Sequence, residues 1–404
     1  MKILYLHQYF NTPAMSGGTR SYEMARRFVQ SGHEVHIITT SREGDHKSGS
    51  WRMEMVDGIH VHWIDISYSN SLSYLQRVRA FVHFAWAGAI KAARVGGDIV
   101  LATSTPLTVA LPGIYSSKRL KVPMVFEVRD LWPELPVAVG ALKNPILIKA
   151  ARWLERFAYH NSSHIIALSP GMADGIRATG YPPEKISVIP NNADIKDFQI
   201  TDDETDIFLR KHGEIVTGPL VVYAGTLGII NGVDYLVDIA AEMIRIDPEV
   251  RFLIVGGGKE AAFIEQKAAH LGVLEENLWM LPPIPKNEMP ALLSAATVAT
   301  SLFIDLPEMW NNSANKFFDA LAAGKPLMIN YQGWHARLLE QSGAGIVVPP
   351  GSPEKATLLL HELLCSEERL VSAQVGARQL AEKKFNRDDL AAELLDILQQ
   401  TGEK

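Results

Sequence analysis

Cysteine is almost missing from this chain. Cys365 is the only one in 404 residues, which excludes an internal disulfide framework and fits a reducing compartment. A surplus of positive charge is missing as well. The 39 Lys and Arg against 45 Asp and Glu leave a formal charge of −6, whereas a nucleic-acid ligand calls for a basic footprint; no nucleic acid is expected as a partner. Nor is there a long apolar run. The longest, Ala80 to Ile90, is interrupted by His83 and falls far short of the roughly 20 residues that span a bilayer. The opening Met1-Lys2-Ile3-Leu4-Tyr5-Leu6 lacks an extended apolar stretch and a small-residue cleavage site, and reads as a first strand rather than a signal peptide. A cytoplasmic location is the expectation. Also lacking is a G-x-G-x-x-G fingerprint at the first strand-to-helix turn, which disfavours NAD.

What is present is a globular alternation. The 47% hydrophobic and 21% charged residues are those of a soluble protein, and the length points to two domains. Short β-branched runs recur at Ile3–Leu6, Val35–Thr39, Ile59–Trp63, Ile99–Thr103, Met124–Glu127, Ile165–Ala167 and Ser187–Ile189. Helical patterns lie between several of them, such as Tyr22, Ala25 and Val29 before Gly32. Apolar strands between helices imply a parallel sheet covered on both faces. Asp197 to Gly218 is rich in charge, includes Asp202-Asp203-Glu204, and reads as a linker with a short helix. A second series follows at Leu220–Tyr223, Phe252–Val255, Leu278–Met280, Val298–Ser301, Pro326–Ile329 and Gly345–Val348. In the last helix Leu390, Leu394 and Leu398 share a face, with Asn386 as a cap.

Each half has glycines where a phosphate could approach backbone. Ser16-Gly17-Gly18 lies between the first strand and first helix, where free N–H groups and the positive dipole end face the turn. The second half has Gly225-Thr226-Leu227-Gly228, then Asn231-Gly232, and a triplet Gly256-Gly257-Gly258 after the next strand. The triplet reads equally as a tight turn with close packing. More informative is Trp310-Asn311-Asn312-Ser313-Ala314-Asn315-Lys316-Phe317-Phe318-Asp319, running on to Gly324-Lys325-Pro326. It reads as a polar loop and a helix start, with Ser313 as N-cap and Gly324 as terminator. An anion there would meet amides and the Lys316 ammonium. Asp319, one turn on, can accept from two vicinal hydroxyls, as a ribose presents them.

Taken together, Ser16-Gly17-Gly18, Arg129-Asp130-Leu131-Trp132-Pro133-Glu134, Ile186 to Asp194, Tyr223 to Gly232, Leu253 to Gly258 and Ser313 to Pro326 resemble the retaining glycosyltransferases of family 4. Within that family the chain looks closest to the WbuB-like branch, which builds bacterial O-antigen and capsule repeat units. The resemblance implies an α/β GT-B fold: two Rossmann-like domains facing a central cleft, with the C-terminal helix crossing back to the N-domain. The expected division is an acceptor-side domain at residues 1–198, a nucleotide-sugar domain at 199–384 and the final helix at 385–404.

It further implies a UDP-sugar donor and no other cofactor, with no bound metal. The diphosphate would lie over Gly17-Gly18 and the amides of Ala314, Asn315 and Lys316, the ribose on Asp319, and the nucleobase along the loop after Val255 and near Ile284. Gly256, Gly257 and Ser313 belong to the same donor set. The acceptor would be a saccharide or a lipid-linked saccharide, with Trp132 and Glu134 lining its site.

The departures from the family pattern matter. Asp319 replaces the second Glu of the E-x7-E motif and Asn311 the first, so Asn311 or Glu308 inherits the donor-sugar contact. The family's diphosphate Arg and Lys are Thr226 and Asn231 here, leaving Lys316, with Arg20 or Arg129, to supply the cation. Arg129 stands before Asp130 where the family has His, and stays protonated at neutral pH, so its role is electrostatic or structural. His7 and His33 are read as structural. Two basic, aromatic segments, Tyr74 to Arg94 and Leu142 to Arg156, suit a peripheral position on an anionic membrane or the faces of ordinary core helices. Two rival functions follow from the replaced residues: a nucleotide-sugar 2-epimerase, or a non-catalytic subunit that binds nucleotide sugar.

Overall fold

The computed structural model describes residues 1–15, 17–41, 49–66, 74–213 and 218–403, without the side chains of 74, 75, 202–204 and 209. Ser16 of the first glycine turn and the Asp202-Asp203-Glu204 side chains therefore lie outside the described residues. The chain forms two compact units, Met1–Pro190 with Asp388–Lys404, and Asn191–Arg387.

The first unit is built on eight strands: β1 (Lys2–Leu6), β2 (Glu34–Ser41), β3 (Trp51–Val56), β4 (Ile59–Asp65), β5 (Ile99–Thr103), β6 (Met124–Val128), β7 (His164–Ala167) and β8 (Ile186–Val188). Their order is β3-β4-β2-β1-β5-β6-β7-β8, parallel except for the β3–β4 pair. Successive residues of β1 go to opposite faces, and both faces are dry. Leu4 and Leu6 pack with Phe84, Ile114 and Tyr159 from helices Tyr74–Val95, Ala110–Leu120 and Pro145–His160. Ile3 and Tyr5 pack with Phe28 of helix Arg20–Gln30 and with Leu390, Leu394 and Leu398 of helix Arg387–Gly402. The leucine stripe of the last helix is thus what binds the C-terminus into this unit.

One strand escapes the sequence reading. β3 pairs antiparallel with β4 through Asp57-Gly58, whose φ values of 48° and 81° fit the turn that matches strand twist. It is an edge strand with exposed Met53 and Met55, so burial leaves no apolar alternation to find.

The second unit has six parallel strands, β9 (Leu220–Ala224), β10 (Arg251–Val255), β11 (Leu278–Leu281), β12 (Val298–Ser301), β13 (Leu327–Ile329) and β14 (Gly345–Val347). Their order is β11-β10-β9-β12-β13-β14. The charged segment before β9 holds a helix, Asp202–Lys211, whose Phe208 packs with Leu220, Val222, Leu253 and Leu292. It is docked, not a free linker.

In both sheets the strand order reverses at the first strand. β1 lies between β2 and β5, and β9 between β10 and β12. Loops leaving the carboxyl ends of such neighbours diverge to opposite faces and open a crevice for ligands. That places His7 onward and Ser104 onward at one such point, and the loops after Ala224 and Ser301 at the other. No helix among the described residues is long and apolar enough to cross a membrane.

Candidate functional site

In the second unit, the two glycine-rich loops lie against each other. Gly225 N–H donates to Val255 O at 2.9 Å, Leu227 N–H to Gly257 O at 2.9 Å, and Glu260 N–H to Leu227 O at 3.0 Å. A Cβ on Gly256 would sit 1.9 Å from Gly225 O, and one on Gly258 2.1 Å from Leu227 O. Backbone contact, without any ligand, therefore demands glycine at 256 and 258. Gly257 borders Pro283, and Ile284 packs half-buried against the core cluster that includes Val255.

Lys316 is brought to this same turn. It stands in the first turn of helix Asn315–Ala322. Its Nζ donates to Tyr223 Oη at 2.9 Å and to Asn231 Oδ1 at 3.1 Å, and lies 4.5 Å from the Tyr223 ring centroid and 5.2 Å from that of Phe303. Tyr223 Oη in turn donates to Thr226 O at 2.9 Å. The ammonium thus lies against Asn231, and is linked to Thr226 through the Tyr223 hydroxyl. Both partners are neutral. Burial pushes the ammonium down to about 7, the expected direction for a cation removed from water without an anion.

The helix start differs from the sequence reading. Ala314 is the N-cap and has no side-chain capping bond. Ser313 does not cap: its Oγ accepts from Asn191 N–H at 3.0 Å, while Asn191 Nδ2 donates to Ser313 O at 2.5 Å. The reason is positional, since Ser313 stands one residue too early to reach the orphan amides. Those amides, and the dipole end behind them, are left uncapped by side chains. Asp319, one turn along, makes no side-chain hydrogen bond among the described residues. Burial first of all, with Asp194 adding, raises its carboxyl to about 6 against the pull of Lys286 and Arg387. Asp194 is itself paired with Arg387, which also donates Nε to Asn192 Oδ1 at 2.8 Å. Glu308 and Asn311 lie on the 3-10 turn Pro307–Asn311 before this helix, Glu308 exposed and Asn311 half-buried. Gly324, at φ 64°, ends the helix as expected.

The first unit's turn has a different content. Gly17 has φ 123°, and a Cβ there would meet Asn11 Nδ2 at 2.7 Å, the same nitrogen that donates to Gly18 O at 3.3 Å. Arg20 points inward, so its expected use as an anion partner is corrected. Its Nε bonds Glu127 Oε1 at 2.9 Å, Nη1 the Pro190 carbonyl at 2.6 Å and Nη2 the Ile189 carbonyl at 2.9 Å. Thr103 Oγ1 donates to the other Glu127 oxygen at 2.6 Å. Arg20 is needed there because Glu127, in an otherwise apolar strand, would be a lone buried charge. A single Glu in Met-Val-Phe-Glu-Val was the signal that could have revealed the pair.

Arg129 remains half-exposed, its backbone N–H on Ser104 Oγ at 3.0 Å and Nη1 3.5 Å from His7 Nε2. Asp130 accepts from Thr105 Oγ1 at 3.3 Å, and burial raises its carboxyl against the lowering pull of Arg129. Trp132 packs on the core beneath the three helices. Glu134 opens a short helix, Glu134–Ala138, with Oε2 buried and lacking a hydrogen-bond partner.

The comparisons agree with this two-part architecture. Residues 17–192 match the model of a glycosyl transferase 4-like domain and residues 218–366 that of glycosyl transferases group 1. The chain is 22% identical over 293 residues to alpha-D-kanosaminyltransferase of Streptomyces kanamyceticus, covering 71% of this chain and 72% of that protein. It is 25% identical over 223 residues to a GDP-mannose-dependent alpha-(1-6)-phosphatidylinositol monomannoside mannosyltransferase of Mycobacterium tuberculosis, covering 54% and 56% of the two chains. HepE of Anabaena, solved in complex with UDP-glucose, superposes with a TM-score of 0.73 at 17% identity over 99% of this chain and 100% of that one. With a 4-like domain and a group 1 domain in succession, each on its own sheet, parallel but for the β3–β4 pair, the chain belongs to the glycosyltransferases of the GT-B fold.

Proposed function

We propose that this chain moves a sugar, an N-acetylated amino sugar being one candidate, from a UDP-sugar to a saccharide or polyprenyl-diphosphate-linked acceptor. Transfer retains the anomeric configuration, needs no bound metal, and serves bacterial surface polysaccharide (O-antigen, lipopolysaccharide or capsule) as in the WbuB-like branch. The observation that carries the reading is Lys316, a cation held among neutral groups beside the uncapped start of helix Asn315–Ala322. A diphosphate bound there gives the ammonium the anion it lacks. It also takes the amides of Asn315 and Lys316, aided by the helix dipole.

As the bond from the anomeric carbon to the diphosphate breaks, charge grows on the departing oxygens, and those preorganised donors stabilise it. Asp319 accepts from the ribose hydroxyls, and the base lies along the loop after Val255 near Ile284. Asn311 or Glu308 meets the donor sugar. In the first unit, Arg129 and Asp130 act near the reacting sugar, the Gly17-Gly18 turn belongs to the donor set, and Trp132 and Glu134 serve the acceptor. HepE holds UDP-glucose and the mycobacterial relative is GDP-mannose-dependent, so the base is the point a donor panel must decide.

A peripheral membrane position fits a lipid-linked acceptor. Val82 and Trp86 are 60% and 70% exposed on helix Tyr74–Val95, and Ile146 and Trp153 are 76% and 62% exposed on helix Pro145–His160. Arg79, Arg94, Lys149, Arg152 and Arg156 are exposed on the same two helices. Exposed apolar rings among cations suit an anionic leaflet. Liposome sedimentation checks this: pelleting that requires anionic lipid and fades with salt is expected, and its absence removes the membrane claim.

The central test is nucleotide release from a panel of UDP-, GDP- and ADP-sugars with membrane extract as acceptor source. UDP release that depends on the extract is expected. Tight binding without turnover would favour the non-catalytic subunit, and a Lys316→Ala chain that binds UDP at wild-type affinity would sink the diphosphate assignment.

A further inference from the structure

Away from both strand-order reversals, the first unit carries three histidines on one sheet face. His36 of β2 lies in register with His60 of β4, and His62 follows two residues on. Side chains two apart, or directly paired, share a face. The His36 and His60 rings stack with centroids 4.4 Å apart, and His36 and His62 with centroids 5.3 Å apart. Glu34, the first residue of β2, brings Oε1 to 2.6 Å from His36 Nε2, and His36 Nδ1 lies 3.0 Å from His62 Nε2.

The proton positions follow from these contacts. The Glu34 carboxylate only accepts, so a neutral His36 carries its proton on Nε2 and accepts at Nδ1 from His62 Nε2–H. That leaves His62 Nδ1 as a bare acceptor, and it is buried with no hydrogen-bond partner. The His60 ring makes no hydrogen bond among the described residues. Three imidazoles thus have acceptor capacity in excess of the donors around them.

We propose that Glu34, His36 and His60 form a binding site for a divalent transition ion of the Zn2+ or Ni2+ type, which nothing in the sugar-transfer reaction requires. Each residue offers one ligand atom, and the three atoms lie within 4.8 Å of one another. Imidazole and carboxylate ligands suit these ions at about 2.0–2.2 Å, so small side-chain rotations close the site. Glu34 is exposed and His60 half-exposed, while His36 is 8% exposed. The ion therefore enters from solvent and its remaining positions are taken by water.

Binding at His36 Nε2 turns the tautomers around. His36 then donates from Nδ1 to His62 Nε2, and His62 carries its proton on Nδ1, with no net change in protons. His62 is the positioning residue that fixes the ligating ring. The competitor for Glu34 is Lys2, whose Nζ lies 3.3 Å from Oε1; it must swing away, and Lys91 adds a cationic field near His62.

The test uses the full chain, free of any affinity tag and stripped with chelator, titrated with Zn2+ and with Ni2+ by calorimetry. About one ion per chain is expected. Glu34→Gln and His60→Ala, both near the surface, should each weaken binding roughly 10- to 100-fold, and His62→Ala by about 10-fold through the lost second partner. Circular dichroism and UDP binding should be unchanged in the two ligand variants. Ni2+ should broaden the ring signals of His36 and His60 in a histidine-selective NMR spectrum. No binding, binding of equal strength in the Glu34→Gln/His60→Ala chain, or broadening confined to other histidines would each overturn the site.

Discussion

Each unit holds a cation near the loop that leaves its first strand, and the two are treated in opposite ways. Arg20 is spent: an ion pair with Glu127 and two backbone carbonyls use its donors, and Glu127 has Thr103 besides. Its guanidinium ties the start of helix Arg20–Gln30 to β6 and to the chain leaving β8. Among the described residues, Lys316 faces only a phenol, an amide and two aromatic rings. A buried cation with its anion supplied holds a fold in one arrangement, while one without an anion waits for a ligand to bring it. A cation in a glycine-flanked turn is therefore no guide to anion binding until its partners are known.

The largest expected break in this comparison comes from Arg20→Ala. It leaves Glu127 charged, buried and short of its partner, and should lower stability by about 3–5 kcal/mol. Urea unfolding measures it; a variant as stable as the parent would mean that Arg20 is not the structural member of the pair. Lys316→Ala should do the reverse. Losing a charge-assisted contact of about 1.5–3 kcal/mol, it should weaken UDP binding roughly 10- to 100-fold by calorimetry while the urea midpoint stays put. Gly256→Ala tests whether the glycine triplet serves packing. Its methyl group would collide with Gly225 O, and overpacking of about 1–3 kcal/mol is expected, again read from the urea midpoint, with loss of UDP binding only as far as the loop at 225–228 is displaced.

The smallest effect is the pH profile of binding, measured with a UDP-sugar so that the nucleotide's own phosphates do not titrate. Asp319 must be ionised to accept from a ribose, so affinity should fall as pH drops through about 6. Lys316 must be protonated to meet the diphosphate, so affinity in the free site should fall as pH rises past about 7. A maximum between the two is expected. Asp319→Asn should remove the acid limb and Lys316→Ala the alkaline one; a flat wild-type profile would separate these residues from the nucleotide.

Most strands and the final helix were legible because their evidence is local. β1 shows as consecutive apolar residues, and Leu390, Leu394 and Leu398 announce their stripe by spacing alone. β3 was not legible, since an edge strand with exposed Met53 and Met55 carries no burial pattern. Ser313 was misread as a cap because composition favours Ser there, while the actual N-cap position fell one residue later. Glu127 was passed over inside a strand, and nothing in the sequence pointed to Tyr223 and Phe303 as the groups that house the Lys316 ammonium.

The sequence by itself determined the two α/β series, the glycine turns and the helix start that bears Lys316 and Asp319. Periodicity, turn chemistry and helix termination act over a few residues, so the order of amino acids is enough to set them. Only the tertiary structure decided what each charge faces. Arg20 meets a carboxylate 107 positions away, and Lys316 a phenol 93 positions away. Whether a cation is neutralised depends on which distant strands are neighbours, because electrostatic pairing follows distance in space and the strength of burial, not separation along the chain.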